Sequence, residues 1–363
     1  MVSRRPTDRP RSDRSRTTTR RPDRSVRRRV GAVVASGLLV AVTVGVAFFQ
    51  LGWPWWHDEG DRNHVHRAAD GTPQHYQVHL PPQWDGRTGL PVVMAVHGCG
   101  MTGFGWNSMK HTTQFNPLAD QEGFSVVYPT QRPFQSWQNC WSPLDPRHQQ
   151  RGAGEPALLA GVVRDVVRTY GADPARVHVA GASSGAGVAV VLAATYPELF
   201  ATATSVAGWE YGVDQLDLED PDATPPTTTA RQAWAQMGDR QRQLPMLVLQ
   251  GGRDEVVPPL VGERLVQHRL AVEDLVDDGL LNQSLELGAA TSTVTDEGGH
   301  SSQRTLHLTP EGRALVDYHV VPELGHAWPG PDGRGSYTDP VGPDASRLVW
   351  RFAQHHDLGL PIS

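Results

Sequence analysis

Gly181-Ala182-Ser183-Ser184-Gly185 sets a serine between two glycines, each two residues away. A serine hydroxyl is a poor nucleophile unless a base removes its proton, so a reactive serine needs partners and a defined place. Val177–Ala180 ahead of it predicts a buried strand, and the small-residue run Gly187–Thr195 behind it predicts a helix. A tight strand-to-helix turn is the context this G-x-S-x-G spacing requires. Such a turn projects the Ser183 hydroxyl off the sheet, and the glycines leave room for neighbouring backbone. The helix N-terminus aims amides at developing negative charge. Ser184 fits the frame poorly as the nucleophile. The competing reading, a small-residue turn in a chain rich in Gly and Ala, is weakened by the strand and helix on either side.

A base and an orienting acid must follow, in the chain order Ser, Asp, His. Leu247–Gln250 predicts a strand, and Gly251-Gly252-Arg253-Asp254 comes directly after it. Asp254 therefore sits where a carboxylate at a strand end can reach a histidine, with Glu255 as the competing choice. His326 lies in Leu324-Gly325-His326-Ala327-Trp328, after the predicted strand Val316–Val321. The chain holds 16 histidines, so the choice rests on position. His300 lies in a polar stretch with no strand ahead of it, and His355 and His356 end a surface helix. His57, His64 and His66 form a loose group without zinc-type spacing, which reads as a solvated linker rather than a metal site. Leu90–Val96 is a continuous apolar run ending in His97-Gly98-Cys99-Gly100. The backbone amides of Cys99 and Ser184 are the expected oxyanion donors, and His97 the residue that organises this loop. Trp141, Trp209, Tyr211 and Trp328 are candidates for an acyl pocket, with core packing the equal alternative for each.

The elements that must position these groups alternate. His75–Leu80 reads as an edge strand, Phe124–Tyr128 as a short strand stopped by Pro129, and Glu155–Tyr170 as a helix ended by Gly171. Ala201–Ala207 and Met246–Gln250 predict further strands, and Pro343–His356 a last helix. Alternation of this kind implies an α/β fold with a mostly parallel sheet and helices on both faces. Asp214–Gln243 and Asp274–Pro310 are polar and read as surface insertions.

The chain of 363 residues is 38% hydrophobic and 20% charged, which excludes wholesale disorder and a polytopic membrane protein. Its net charge of −6 averages a basic tail, +9 over residues 1–29, and an acidic body of −15. An acidic body lacks the positive face that nucleic acid requires, so no nucleic-acid partner is expected. Val30–Phe49 runs twenty residues without a charge, long enough to cross a bilayer, and Trp53, Trp55 and Trp56 follow it as interfacial aromatics would. The arginines before the run predict the remainder outside the cytoplasm. An uncleaved signal anchor, a cleaved signal peptide and a buried core helix all remain open. The expected layout is a tail over 1–29, a membrane helix over 30–50, a linker over 51–68 and a catalytic domain over 69–363. The two cysteines, Cys99 and Cys140, can pair in an oxidising space or remain two buried thiols.

His97-Gly98-Cys99, Tyr128-Pro129, Asn139-Cys140-Trp141, Arg151-Gly152-Ala153-Gly154-Glu155-Pro156, Val179–Ala186, Gly325-His326-Ala327-Trp328 and Gly335–Pro340 together make a more specific pattern than a lone G-x-S-x-G. From about His75 to the C-terminal helix the chain resembles the catalytic domain of extracellular short-chain polyhydroxyalkanoate (PHB) depolymerases and the related feruloyl and acetylxylan esterases. The resemblance implies an α/β-hydrolase fold and a carboxylic ester as target. By motif, the family's triad falls on Ser183, Asp254 and His326, and its cysteine pattern favours a Cys99–Cys140 bond. Secreted polymer depolymerases usually carry a polymer-binding domain after the catalytic one; here Ser363 follows soon after the last helix. With the membrane helix, that leads away from insoluble granules and toward a small or oligomeric ester. Expected, then, is an outward-facing serine esterase tethered to the membrane by its N-terminal helix, or secreted after cleavage, needing no metal or organic cofactor. A cell-envelope acyltransferase is the alternative chemistry.

Overall fold

A computed structural model describes residues 24–51, 57–212, 220, 223–295, 299–333 and 335–359. The chain divides into two units, Met1–Val46 and Ala47–Ser363. Helix α1 (Arg24–Leu51) contains the charge-free run, and its last residues, 47–51, belong to the second unit. Trp53, Trp55 and Trp56 lie outside the described residues.

The second unit is built on one mixed sheet of ten strands. Six strands run parallel in its centre, in the order β4 (Ser125–Pro129), β3 (Val92–Val96), β5 (Val177–Ala182), β6 (Thr202–Val206), β7 (Met246–Gly251) and β10 (Ala314–Val321). Antiparallel pairs extend both sides: β2 (Pro73–His79) and β1 (Asp61–Arg67) beside β4, β9 (Ser301–Leu308) and β8 (Gly288–Thr295) beside β10. A short parallel pair, β11 (Trp328–Pro329) and β12 (Thr338–Asp339), stands apart.

The central strands are apolar throughout because both of their faces are covered. Side-chain alternation sends Val92, Met94, Val96, Val177 and Val248 into one core, against α4 (Gly154–Tyr170), α5 (Ser184–Thr195), α6 (Pro226–Met237) and α7 (Pro259–Asp278). It sends Val93, Ala95, Ala180, Leu247 and Leu249 into the other. There they meet residues of α3 (Phe115–Glu122), α8 (Ala345–Ala353) and Met109 of the short helix α2 (Met109–Thr113).

Three expectations change. Residues 61–67, expected in a linker, form β1, and its histidines are fastened to α4: His64 Nε2 is 2.5 Å from the Tyr170 hydroxyl and His66 Nδ1 2.7 Å from Asp165. Charged and polar side chains suit a strand with one partner only. The polar stretch Asp274–Pro310 contributes the end of α7 and a hairpin that continues the sheet. Within Asp214–Gln243, residues 214–219 and 221–222 lie outside the described residues, and Pro226–Met237 is helical.

Candidate active site

The site lies at the C-terminal ends of β3, β5 and β7 and the loop after β10. Ser183 joins β5 to α5 with φ 53° and ψ −120°, a conformation that costs a non-glycine residue on the order of 1–3 kcal/mol. Its backbone N–H donates to Val206 O at 2.9 Å, so β6 holds the strained turn in place. The two glycines of the motif are there for contact. A Cβ on Gly181 would stand 2.1 Å from Gly185 O, and one on Gly185 2.2 Å from Val96 O. Helix and strand therefore meet backbone to backbone under Ser183.

Asp254 ends the turn after β7. Its Oδ1 accepts from the amides of Val256 at 2.9 Å and Val257 at 2.8 Å, and its Oδ2 is 2.8 Å from His326 Nδ1. A carboxylate accepts, so Nδ1 carries the hydrogen and Nε2 is left as the acceptor. The two loops are laced together: Gly252 N donates to Val321 O at 2.8 Å and Arg253 N to Leu324 O at 2.9 Å. Glu255, the competing acid, is exposed.

Ser183 and His326 line one cavity of about 290 Å³, together with Gly98, Cys99, Met101, Gln138, Val206, Trp209, Val256, Trp328 and Tyr337. Its walls are mostly carbon. Trp209 and Trp328 stand in this lining. Trp141 and Tyr211 do not: both are buried in the core, Trp141 5.2 Å from the His97 ring and Tyr211 donating its hydroxyl to Gln149 O at 2.6 Å. For those two residues packing, not the pocket, decides the address.

Cys99 is disulfide-bonded to Cys140. A disulfide belongs to an oxidising, extracytoplasmic space. Ser184 opens α5, so its amide is among the first-turn donors that have no carbonyl within the helix. His97 is fully buried; Nδ1–H donates to Gly98 O at 2.8 Å, and Nε2 accepts from the Gln131 amide at 3.0 Å. Burial pushes its imidazole down to about 4, so it stays neutral and structural.

Glu155 is the part that sequence reasoning passed over. It entered only as the start of a helix and as part of a motif, yet its side chain is buried at the head of α4. Oε1 accepts from Gln131 Nε2 at 2.5 Å and Oε2 from the Ser142 amide at 2.8 Å. Gln131 Nε2 also reaches Cys140 O at 3.1 Å. Burial raises the Glu155 carboxyl above the usual range, against the pull of the Ser142 amide and the nearby His148. One carboxylate thus braces both chain segments beside the disulfide. The signal was an acidic residue in the first turn of a helix whose first half is otherwise apolar.

Asp58, Asp61 and His79 also converge, but Lys110 Nζ pairs with both aspartates and lies 3.2 Å from Asp58. They form an ion cluster against β2, away from the cavity, with Asp61, His79 and Lys110 buried and Asp58 open to solvent.

A serine in a strained strand-to-helix turn, on a mostly parallel sheet and sharing a cavity with an aspartate-bound histidine, defines an α/β fold of the esterase type. Residues 74–222 match the family described as esterase PHB depolymerase. It is 26% identical over 253 residues to poly(3-hydroxyalkanoate) depolymerase C of Paucimonas lemoignei, covering 68% of this chain and 57% of that one. It is 38% identical over 118 residues to feruloyl esterase B of Neurospora crassa, covering 32% of this chain and 38% of the relative. The chain thus spans about half or less of these relatives' lengths. Among solved structures, acetyl xylan esterase from Aspergillus awamori shares the fold with a TM-score of 0.57 at 23% identity, over 73% of this chain and 93% of that one.

Proposed function

We propose that this chain is a serine esterase acting on carboxylic esters outside the cytoplasm, with Ser183 as nucleophile, His326 as base and Asp254 as the residue that orients it. The reading is carried by one arrangement: Ser183 and His326 open onto the same cavity while His326 Nδ1 lies 2.8 Å from Asp254. His326 Nε2 takes the Ser183 proton as the hydroxyl attacks the ester carbonyl. The Cys99 and Ser184 amides receive the oxyanion, each such donor being worth roughly 10²–10³ in rate. The protonated histidine gives its proton to the leaving alcohol. Water, deprotonated by the same imidazole, then releases the acid from the acyl-enzyme. The carbon-lined cavity favours a compact, apolar acyl group. The relatives' printed activities, on polyhydroxyalkanoate, feruloyl and acetylxylan esters, give the three substrate families to try first.

The test is turnover by the full chain in detergent against a Ser183→Ala control. The substrates are p-nitrophenyl esters of graded chain length, soluble 3-hydroxybutyrate oligomers, a feruloyl ester and an acetylated xylan. The expected result is turnover that falls to the control level with Ser183→Ala. Wild-type turnover no greater than the control's on every ester would sink the reading, and products formed with added alcohols would then test transfer to another acceptor.

A further inference from the structure

Outside the first unit, the two described large apolar side chains most open to solvent are Trp137 at 95% and Phe134 at 83%; Trp106, on the loop beside theirs, is 53% exposed. A single exposed aromatic is ordinary. These three sit on two loops, residues 100–108 and 130–140, that are joined to each other. Gly100 N donates to Gln138 O at 2.7 Å, Gly103 N to Thr130 Oγ1 at 3.1 Å, and Asn139 Nδ2 to Met101 O at 2.7 Å, beside the Cys99–Cys140 bond.

Both loops are also fastened to the last turn of α1. Trp106 N donates to Phe49 O at 2.9 Å, and its ring lies 6.0 Å from that of Phe48. Gln50 is buried; its Nε2 reaches Asn139 Oδ1 at 3.3 Å, and its Oε1 accepts from Thr130 Oγ1 at 3.1 Å. The approach is close enough that a Cβ on Gly105 would stand 2.1 Å from Phe49 O. Residues 47–51 are therefore part of the catalytic body, although they end a helix apolar enough over Ala32–Leu51 to cross a membrane.

Length then constrains the rest. With residues 47–51 taken into the body, roughly 17 residues from position 30 to 46 remain to span. At about 1.5 Å each they cover about 25 Å, at the short end for a hydrocarbon core. A span of that length leaves no slack between bilayer and body, so groups fastened to residues 47–51 stand at the membrane surface. That layer is where tryptophan is most stable, with its ring in the apolar zone and its N–H hydrated.

We propose that the loops 100–108 and 130–140 rest in the interfacial layer of the bilayer through Trp106, Phe134 and Trp137, and that the ester substrate is drawn from that layer as a membrane-dissolved amphiphile. The same two loops supply Met101 and Gln138 to the cavity lining, so the membrane contact and the cavity share walls. The proposal rests on the helix being retained as a span and, for its substrate half, on the esterase reading.

Two readouts test it. In vesicles containing lipid brominated near the headgroup, tryptophan fluorescence of the full chain should be quenched more than that of a Trp106→Phe/Trp137→Phe variant. Equal quenching would overturn the lipid contact. Separately, Phe134→Ser/Trp137→Ser should keep turnover of a soluble short-chain p-nitrophenyl ester within about twofold while lowering turnover of a vesicle-borne fluorogenic ester about tenfold. Equal loss on both esters, or no loss on either, would overturn the substrate half. Absence of any Ser183-dependent turnover would instead strike the esterase reading, and the quenching result would still decide the membrane contact. A mature protein whose mass lacks residues up to 51 would overturn the whole.

Discussion

The side chain of Asp254 does two jobs at once, holding the amides of Val256 and Val257 with one oxygen and the His326 ring with the other. Asp254→Asn keeps the size and an acceptor for the amides. It places an N–H₂ against Nδ1, however, and so favours the tautomer whose Nε2 already carries a hydrogen. We expect kcat to fall roughly 10³–10⁴-fold with KM changed only a few-fold, read by steady-state kinetics on the preferred ester. Ser183 and His326 were legible because motif and chain order constrain them. The choice of Asp254 over Glu255 was open in the sequence, since adjacent residues at a strand end differ only in which way the turn points them. Between pocket and core, Trp141 and Tyr211 were open for a related reason. An aromatic's type says that it is buried, not whether it meets substrate or neighbour.

At the scale of elements, the parallel centre was legible because strands buried on both faces are continuously apolar, as in Val92–Val96 and Met246–Gly251. Strand β1 was not, because Asp61–Arg67 has one partner strand and is polar. Helix α7 was hidden by the polar groups it buries: Arg264 pairs with Glu210 at 2.9 Å, and Arg269 pairs with Glu273, so no clean apolar stripe survives. The loop elements around the site depend on the Cys99–Cys140 bond, which spans 41 residues. In the chain-entropy description a loop of that length contributes about 4 kcal/mol. Cys99→Ser/Cys140→Ser should therefore unfold at markedly lower denaturant. It should also lose more activity than Ser184→Ala, because the Cys99 amide is positioned by the bond while the Ser184 amide belongs to the backbone of α5. Chemical denaturation and initial rates measured side by side check both parts.

The molecule as a whole carries three deeply buried histidines whose imidazoles are pushed down: His97 to about 4, His178 to about 3 and His268 to about 3, burial being the main cause in each. Unfolded histidine titrates near 6.5, so between about pH 4 and 6.5 the unfolded chain binds more protons than the folded one. Their stabilisation is full above about pH 6.5 and drains away as the pH falls toward 4. His79 works oppositely. Burial alone would lower it, but Asp61 and Asp120 raise it, so its contribution is present in acid and lost as the pH rises through its folded value. Burial lowers His64, His75, His307 and His356 as well, so among the described histidines the lowered groups outnumber the raised one: unfolding midpoints in denaturant should decline from pH 7 to pH 5, and His178→Phe should flatten that decline.

The sheet order also sets a sequence of events in time. The cavity draws on residues near 98, 183, 206, 256 and 326, and those meet only after β3, β5, β6, β7 and β10 have paired across long stretches of chain. Non-local pairings of this kind form slowly, because loop closure costs entropy before contact repays it. After denaturation, local helix returns first and the last parallel neighbours return late. Recovery of the cavity is thus a clock for completion of folding, and helical signal alone runs ahead of it.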